Sequence, residues 1–157
     1  MTVSFDLDDL LIPGVKTFKT ETKTLMQRLL GIESIRRGTI ELFKELKRQG
    51  HSIYIYTTSF RSPWKIRLMF YSYGIPVKKV INQDLHNQIL REQSKRTSKF
   101  PPAFDIDIHI DDSPGLKIEG DRYNFATIII DENDKRWQET VLEELKSYND
   151  GQPRLKL

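Results

Sequence analysis

The chain has 157 residues, the length of one ordinary domain, and it contains no cysteine. The lack of cysteine excludes disulfides, thiolate nucleophiles and Cys-ligated zinc. The chain carries 25 Lys and Arg against 22 Asp and Glu, and this net charge of +3 leaves nucleic acid open as a partner without predicting it.

The N-terminal segment MTVSFDLDDL has acidic residues where a signal peptide needs an apolar core. No apolar run approaches the roughly 20 residues that a membrane-spanning helix requires. We therefore predict a cytoplasmic protein with no membrane partner. We expect a single domain over residues 1–148 and a flexible tail over residues 149–157.

Short apolar runs rich in β-branched and aromatic residues predict buried strands. The predicted strands are Val3–Phe5, Ser52–Tyr56, Val80–Ile81, Ile106–Ile110 and Thr127–Ile130. Segments with helical spacing of apolar residues lie between these strands or flank them. The predicted helices are Thr24–Leu30, Thr39–Gln49, Pro63–Tyr73, Asp84–Gln93 and Trp137–Leu145. This alternation predicts an α/β fold with a parallel sheet, and Pro13-Gly14 predicts a turn that could close a small hairpin within Leu10–Lys19.

Polar side chains follow three of the predicted strands at the point where each strand ends. They are Asp6 and Asp8, then Thr57 and Thr58, then Asp111 and Asp112. The carboxyl ends of parallel strands lie on one edge of a sheet, and ligands bind in the crevice there. We therefore expect these residues, distant in sequence, to form one site.

The four carboxylates of this predicted site favour acid–base chemistry and a bound cation. Asp6 and Asp8 are two residues apart, so their side chains can point the same way and divide into acid and base roles. With Asp111 and Asp112 added, the cluster would repel itself without a cation. Magnesium suits oxygen ligands, whereas the histidines lack zinc-ligand spacing. His109 lies within a predicted strand and is expected to be a packed or partly exposed residue rather than a catalyst.

A positive side chain is also expected at this site, to neutralise a bound anion. Lys99, in the loop before the strand that leads to Asp111, is the leading candidate, and Lys95 is the alternative. Arg61 follows the strand that ends at Thr57 and could reach a substrate phosphate.

In kind and in order, these residues resemble the four motifs of the haloacid dehalogenase (HAD) superfamily. The matching residues are Asp6-x-Asp8, Thr57, Lys99 and Asp111-Asp112. The resemblance extends from residue 3 to about residue 130. Leu10 stands where many members have Thr or Val.

The resemblance implies a Rossmann-like parallel sheet flanked by helices and a magnesium-dependent phosphomonoester hydrolase that acts through an aspartyl-phosphate. It implies that Asp6 is the nucleophile and Asp8 the general acid and base, with Thr57 and Lys99 completing the catalytic set. The implied magnesium ligands are Asp6, Asp8 through its backbone carbonyl, Asp111 and Asp112. The expected substrate-binding residues are Thr57, Thr58, Lys99 and Arg61.

The spacing of the motifs leaves no room for a full cap domain between residues 9 and 56 or between residues 58 and 98. Capless relatives act on macromolecules through an open site, or on small molecules when a neighbouring subunit serves as lid. The expected partner is therefore a phosphorylated small molecule or macromolecule, and a homo-oligomer stays open.

Three other functions use similar residues. A phospho-accepting signalling receiver needs an acidic pair, an Asp, a Thr and a Lys, but in an order that differs from the one found here. A catalytically silent phosphate-binding domain would keep the fold without turnover. A true dehalogenase would need neither Asp8 nor the metal.

Overall fold

Five short apolar segments form a single parallel sheet in the computed structural model, which describes residues 1–92 and 96–151. The strands are β1 (Thr2–Phe5), β2 (Ser52–Tyr56), β3 (Lys79–Ile81), β4 (Ile108–Asp111) and β5 (Ala126–Ile129). Their order across the sheet is β3-β2-β1-β4-β5, and every pair is parallel. This is a Rossmann-like arrangement, and it confirms the predicted α/β class.

Six α-helices flank the sheet in the described ranges. They are α1 (Leu25–Leu29), α2 (Thr39–Arg48), α3 (Pro63–Ser72), α4 (Gln83–Leu90), α5 (Pro114–Tyr123) and α6 (Trp137–Gly151). A 3-10 helix spans Pro101–Phe104. A capping box starts α1, in which the Thr24 side chain accepts from the backbone of Gln27 and the Gln27 side chain accepts from the backbone of Thr24. None of the described helices combines the length and apolar character of a membrane span.

Four expectations about local structure differ from the fold. Strand β4 begins at Ile108 and includes Asp111, so this aspartate is part of the strand instead of following it. Helix α5 was not among the predicted helices. Residues 10–19 form turns and one bridge between Asp8 and Ile12, so the predicted hairpin is wrong. Residues 149–151 of the predicted tail continue α6, and residues 152–157 lie outside the described residues.

An aromatic stack anchors β1 to the helices on one face of the sheet. Phe5 packs on Phe43 of α2 with ring centroids 4.8 Å apart, and Phe43 packs on Phe70 of α3 at 5.7 Å. All three side chains are fully buried. Phe5 is the last residue of β1, so this packing fixes the position of the backbone from which Asp6 emerges.

Candidate functional site

The carboxyl ends of β1 and β4 lie side by side in the centre of the sheet. Asp6 directly follows β1, Asp111 ends β4, and the backbone N–H of Asp6 donates to the carbonyl of Ile110 at 2.8 Å. The strand order changes direction between β1 and β4, which is where open parallel sheets form their ligand crevice. The two aspartates, far apart in sequence, therefore meet at the expected edge.

Lys99 lies between these two aspartates. Its Nζ donates to Oδ1 of Asp6 at 2.5 Å and to Oδ2 of Asp111 at 2.6 Å, and all three side chains are buried. A buried carboxylate pair is unfavourable unless a nearby positive charge offsets the repulsion. Lys99 supplies that charge at the position predicted for it, whereas the alternative Lys95 lies outside the described residues.

Three carboxylates form a group that can hold a metal ion. Asp6, Asp111 and Asp112 each offer an oxygen, and these oxygens lie within 4.8 Å of one another. The donor set consists of carboxylate oxygens, which fits a hard cation such as Mg²⁺ better than a soft one. Asp112 also forms an ion pair with Lys16 at 2.6 Å, a cation that the sequence did not single out.

Asp8 points to a different set of partners and its carboxylate is not in the metal-holding group. Its Oδ2 accepts from Thr57 Oγ1 at 3.3 Å and its Oδ1 pairs with Arg61 Nη2 at 3.0 Å. Arg61 Nη1 pairs in turn with Glu33 at 2.6 Å. Two side chains of the loop between β2 and α3 therefore hold the Asp8 carboxylate apart from the three-aspartate group, whereas the ligand predicted at this residue is its backbone carbonyl.

Thr57 and Thr58 follow β2 but have different environments. Thr57 is buried, and its Oγ1 accepts from the backbone N–H of Ser59 at 3.1 Å as well as contacting Asp8. Thr58 is exposed. The structure thus brings Thr57 to the predicted site and leaves Thr58 outside its hydrogen-bonded group.

His109 also belongs to this site, although its position in the sequence predicted only a packed or partly exposed strand residue. Its Nε2 lies 3.1 Å from Asp111 Oδ2, and its Nδ1 lies 2.6 Å from Ser4 Oγ. Asp111 Oδ1 accepts from the backbone N–H of Ser113 at 2.8 Å, so both oxygens of Asp111 are held. The contact between His109 and Asp111 could have been predicted, because residues two apart in a strand share a face of the sheet.

Burial and charge shift the pKa values of these groups in opposite directions. Burial raises the pKa of Asp6 to about 6, with Lys99 opposing the shift and Asp111 adding to it. Burial would also raise the pKa of Asp111, but the hydrogen bond from His109 and the charge of Lys99 outweigh it and hold that pKa well below its usual range. Burial alone would lower the pKa of Lys99, but the charges of Asp6 and Asp111 raise it. Burial, together with the Lys99 charge, lowers the pKa of His109 to about 4.

Lys99 is therefore a cation at neutral pH and His109 a neutral hydrogen-bond donor to Asp111. The arrangement combines a buried carboxylate, a fixed positive charge, a set of oxygen ligands and a second carboxylate with separate partners. Groups of these kinds are able to support phosphoryl transfer. Comparison of the chain with protein-family models gives no match, and comparison with curated proteins gives none either.

Proposed function

We propose that the protein is a magnesium-dependent phosphomonoester hydrolase that acts through an aspartyl-phosphate formed on Asp6. The observation that carries this proposal is the meeting of Asp6, Asp111 and Asp112 with Lys99 at one edge of the sheet. Oxygen ligands for a divalent ion and a fixed positive charge are what the transfer of a phosphoryl group requires.

Asp6 is the nucleophile in this proposal because its carboxylate is buried at the centre of the group and Lys99 contacts it directly. In the first step a carboxylate oxygen of Asp6 forms a bond to phosphorus, and the bond from phosphorus to the leaving oxygen breaks. In the second step the oxygen of a water molecule bonds to phosphorus and the bond to Asp6 breaks. The products are an alcohol, inorganic phosphate and unchanged Asp6.

Asp8 moves the protons in both steps. It donates a proton to the leaving oxygen in the first step and accepts one from the attacking water in the second. Its contacts with Thr57 and Arg61 support this role, because they fix the carboxylate in one position outside the metal-holding group. With substrate bound, Thr57 Oγ1 would donate its single proton to a phosphoryl oxygen in place of Asp8.

Asp6, Asp111 and Asp112 would hold Mg²⁺, and the backbone carbonyl of Asp8 would add a further oxygen. A bound Mg²⁺ supplies charge neutralisation for the phosphoryl oxygens and for the carboxylates around them. Lys99 adds a second positive charge at Asp6, so the nucleophile and the phosphoryl group can approach each other without strong repulsion.

The first test is hydrolysis of 4-nitrophenyl phosphate with Mg²⁺ and with EDTA. We expect turnover that needs Mg²⁺ and that falls by at least about 10³-fold in Asp6→Asn, since the amide is not a nucleophile. Asp121→Asn is the matched control, because it makes the same change at an exposed residue of α5 and should leave the rate unchanged.

Three outcomes would contradict this proposal. Equal rates for the wild type and Asp6→Asn would remove Asp6 as the nucleophile. A phosphorylated protein that persists for minutes without releasing phosphate, measured after labelling with acetyl phosphate, would identify a phospho-accepting receiver instead. A folded protein that neither turns over nor becomes labelled would identify a silent binding domain.

A further inference from the structure

A groove lies next to the candidate active site, between α3 and the segment that follows α1. Its volume is about 550 Å³. The lining residues used below are Leu30, Glu33, Arg61, Trp64 and Leu68. A cleft of this volume is within the range of small-ligand sites, which is roughly 300–1,000 Å³.

Arg61 connects this groove to the site. One guanidinium nitrogen, Nη2, pairs with Asp8 at 3.0 Å, and the other, Nη1, pairs with Glu33 at 2.6 Å. Arg61 and Glu33 both line the groove. The Arg61 guanidinium therefore bridges the polar end of the groove and the Asp8 carboxylate, which we assign as the proton donor.

The remainder of the groove presents large apolar side chains to solvent. Trp64 is 67% exposed, Leu30 63% and Leu68 37%. Ile66, Met69 and Phe70 of the same helix are buried and account for its packing against the core. Exposed apolar side chains gathered in one cleft, rather than scattered singly, indicate a binding site.

We propose that this groove is the leaving-group subsite and that its occupant is the aromatic leaving group of a small phosphomonoester. The proposal rests on the hydrolase function proposed above. The bond that breaks joins phosphorus to the leaving oxygen, and that oxygen takes its proton from Asp8, so the leaving group departs on the Asp8 side. The groove begins at that side, and an aromatic ring is the group that the exposed indole of Trp64 can stack against.

The test compares two phosphomonoesters that differ only by an aromatic ring, 2-phenylethyl phosphate and ethyl phosphate. Both have primary-alcohol leaving groups of similar acidity, so intrinsic reactivity does not separate them. With release of inorganic phosphate as the readout, we expect kcat/KM for 2-phenylethyl phosphate to be about tenfold higher in the wild type. Trp64→Ala should remove most of this preference and leave kcat/KM for ethyl phosphate within about twofold.

Tyr71→Ala is the control, because Tyr71 is an equally exposed aromatic residue of α3 outside the groove lining, and it should change neither rate. Trp64→Phe should retain most of the preference. Equal kcat/KM for the two esters in the wild type, or an equal loss for both in Trp64→Ala, would overturn the subsite while the hydrolase function stands. Absence of Mg²⁺-dependent hydrolysis of either ester and of 4-nitrophenyl phosphate would instead overturn the function, and the subsite with it.

Discussion

At the scale of single residues, Lys99 and His109 explain how two aspartates can be buried together. Lys99 pairs with Asp6 and Asp111, and His109 lies within hydrogen-bond distance of the Asp111 oxygen that Lys99 also contacts. A buried carboxylate that loses its partner costs about 3–5 kcal/mol, so the pairing is a condition for the fold to keep both acids inside. The same pairing keeps a positive charge beside Asp6, where the proposed function needs one for a phosphoryl group.

His109 makes the stability of the protein depend on pH. Its pKa is about 4 in the folded state against an ordinary value of 6.5, so between these values the unfolded chain binds a proton that the folded chain does not. Stability from this residue is therefore complete above pH 6.5 and decreases as the pH falls towards 4. Asp6, with a pKa raised to about 6, acts in the opposite direction over an overlapping range.

Replacing His109 with Gln separates the two effects, because the Gln amide can still donate to Asp111 but does not titrate. We expect the wild type to lose about 2 kcal/mol more than His109→Gln between pH 7.5 and pH 5, in urea unfolding with EDTA present. The Asp6 contribution is common to both proteins and cancels in the difference. Parallel stability curves for the two proteins over this range would contradict the assignment.

At the scale of elements, most of the strands and helices could be predicted because their apolar spacing is regular. Helix α5 could not, since only Leu116 and Gly120 are buried and an apolar stripe is missing. Both α3 and α5 begin with a Ser-Pro pair, Ser62-Pro63 and Ser113-Pro114, which is a helix-start signal. In α5 this signal was obscured because Asp, Ser, Pro and Gly in succession are also typical of a turn.

The segment between β1 and α2 contains one short helix. The buried side chain of Arg36 fixes the end of this segment, just before α2. The Arg36 guanidinium lies 4.8 Å from the ring centroid of Phe18 and 4.9 Å from that of Trp137. Its Nη2 donates to the backbone carbonyls of Asp131 and Asp134, at 3.2 Å and 3.3 Å. The segment is thereby attached to the loop after β5, on the same edge of the sheet as the candidate site.

Arg36→Met is expected to lower the free energy of unfolding by roughly 2–4 kcal/mol, as measured by urea unfolding. Methionine preserves much of the apolar contact with the two rings but removes the charged hydrogen bonds and the cation–π attraction. Arg37→Met is the matched control, because Arg37 is exposed, and its effect should stay within about 0.5 kcal/mol. Similar losses in both variants would mean that the contacts of Arg36 contribute no more than a surface arginine.

At the scale of the whole molecule, the rule for parallel sheets predicts which residues lie at the same edge. It does not predict which of these residues form ion pairs or hydrogen bonds with one another. That Asp6, Thr57 and Asp111 share one edge follows from the strand ends alone. The Arg61–Glu33 pair and the separation of Asp8 from the other carboxylates depend on loop conformations, for which the sequence has no periodic signal. The exposure of Thr58 likewise depends on the path of the chain just after β2.

Metal binding by the three-aspartate group should depend on folding. Asp6 is about a hundred residues from Asp111 and Asp112 in sequence, so the three carboxylates come together only when the sheet forms. A cation that binds this group therefore stabilises the folded state alone, by about 2.7 kcal/mol at a concentration 100 times Kd. For a chain of this length, such a gain corresponds to a rise in Tm of roughly 5–10 °C.

Thermal unfolding with saturating MgCl₂ should show this rise against NaCl of equal ionic strength, which controls for screening of surface charge. Asp111→Asn should lose most of the rise whatever its own Tm, because the variant lacks one ligand carboxylate and the charge of the remaining Asp6 carboxylate is already neutralised by Lys99. Asp121→Asn should keep the full rise. If Mg²⁺ stabilises Asp111→Asn as much as the wild type, the ion binds elsewhere and the three-aspartate group is not its site.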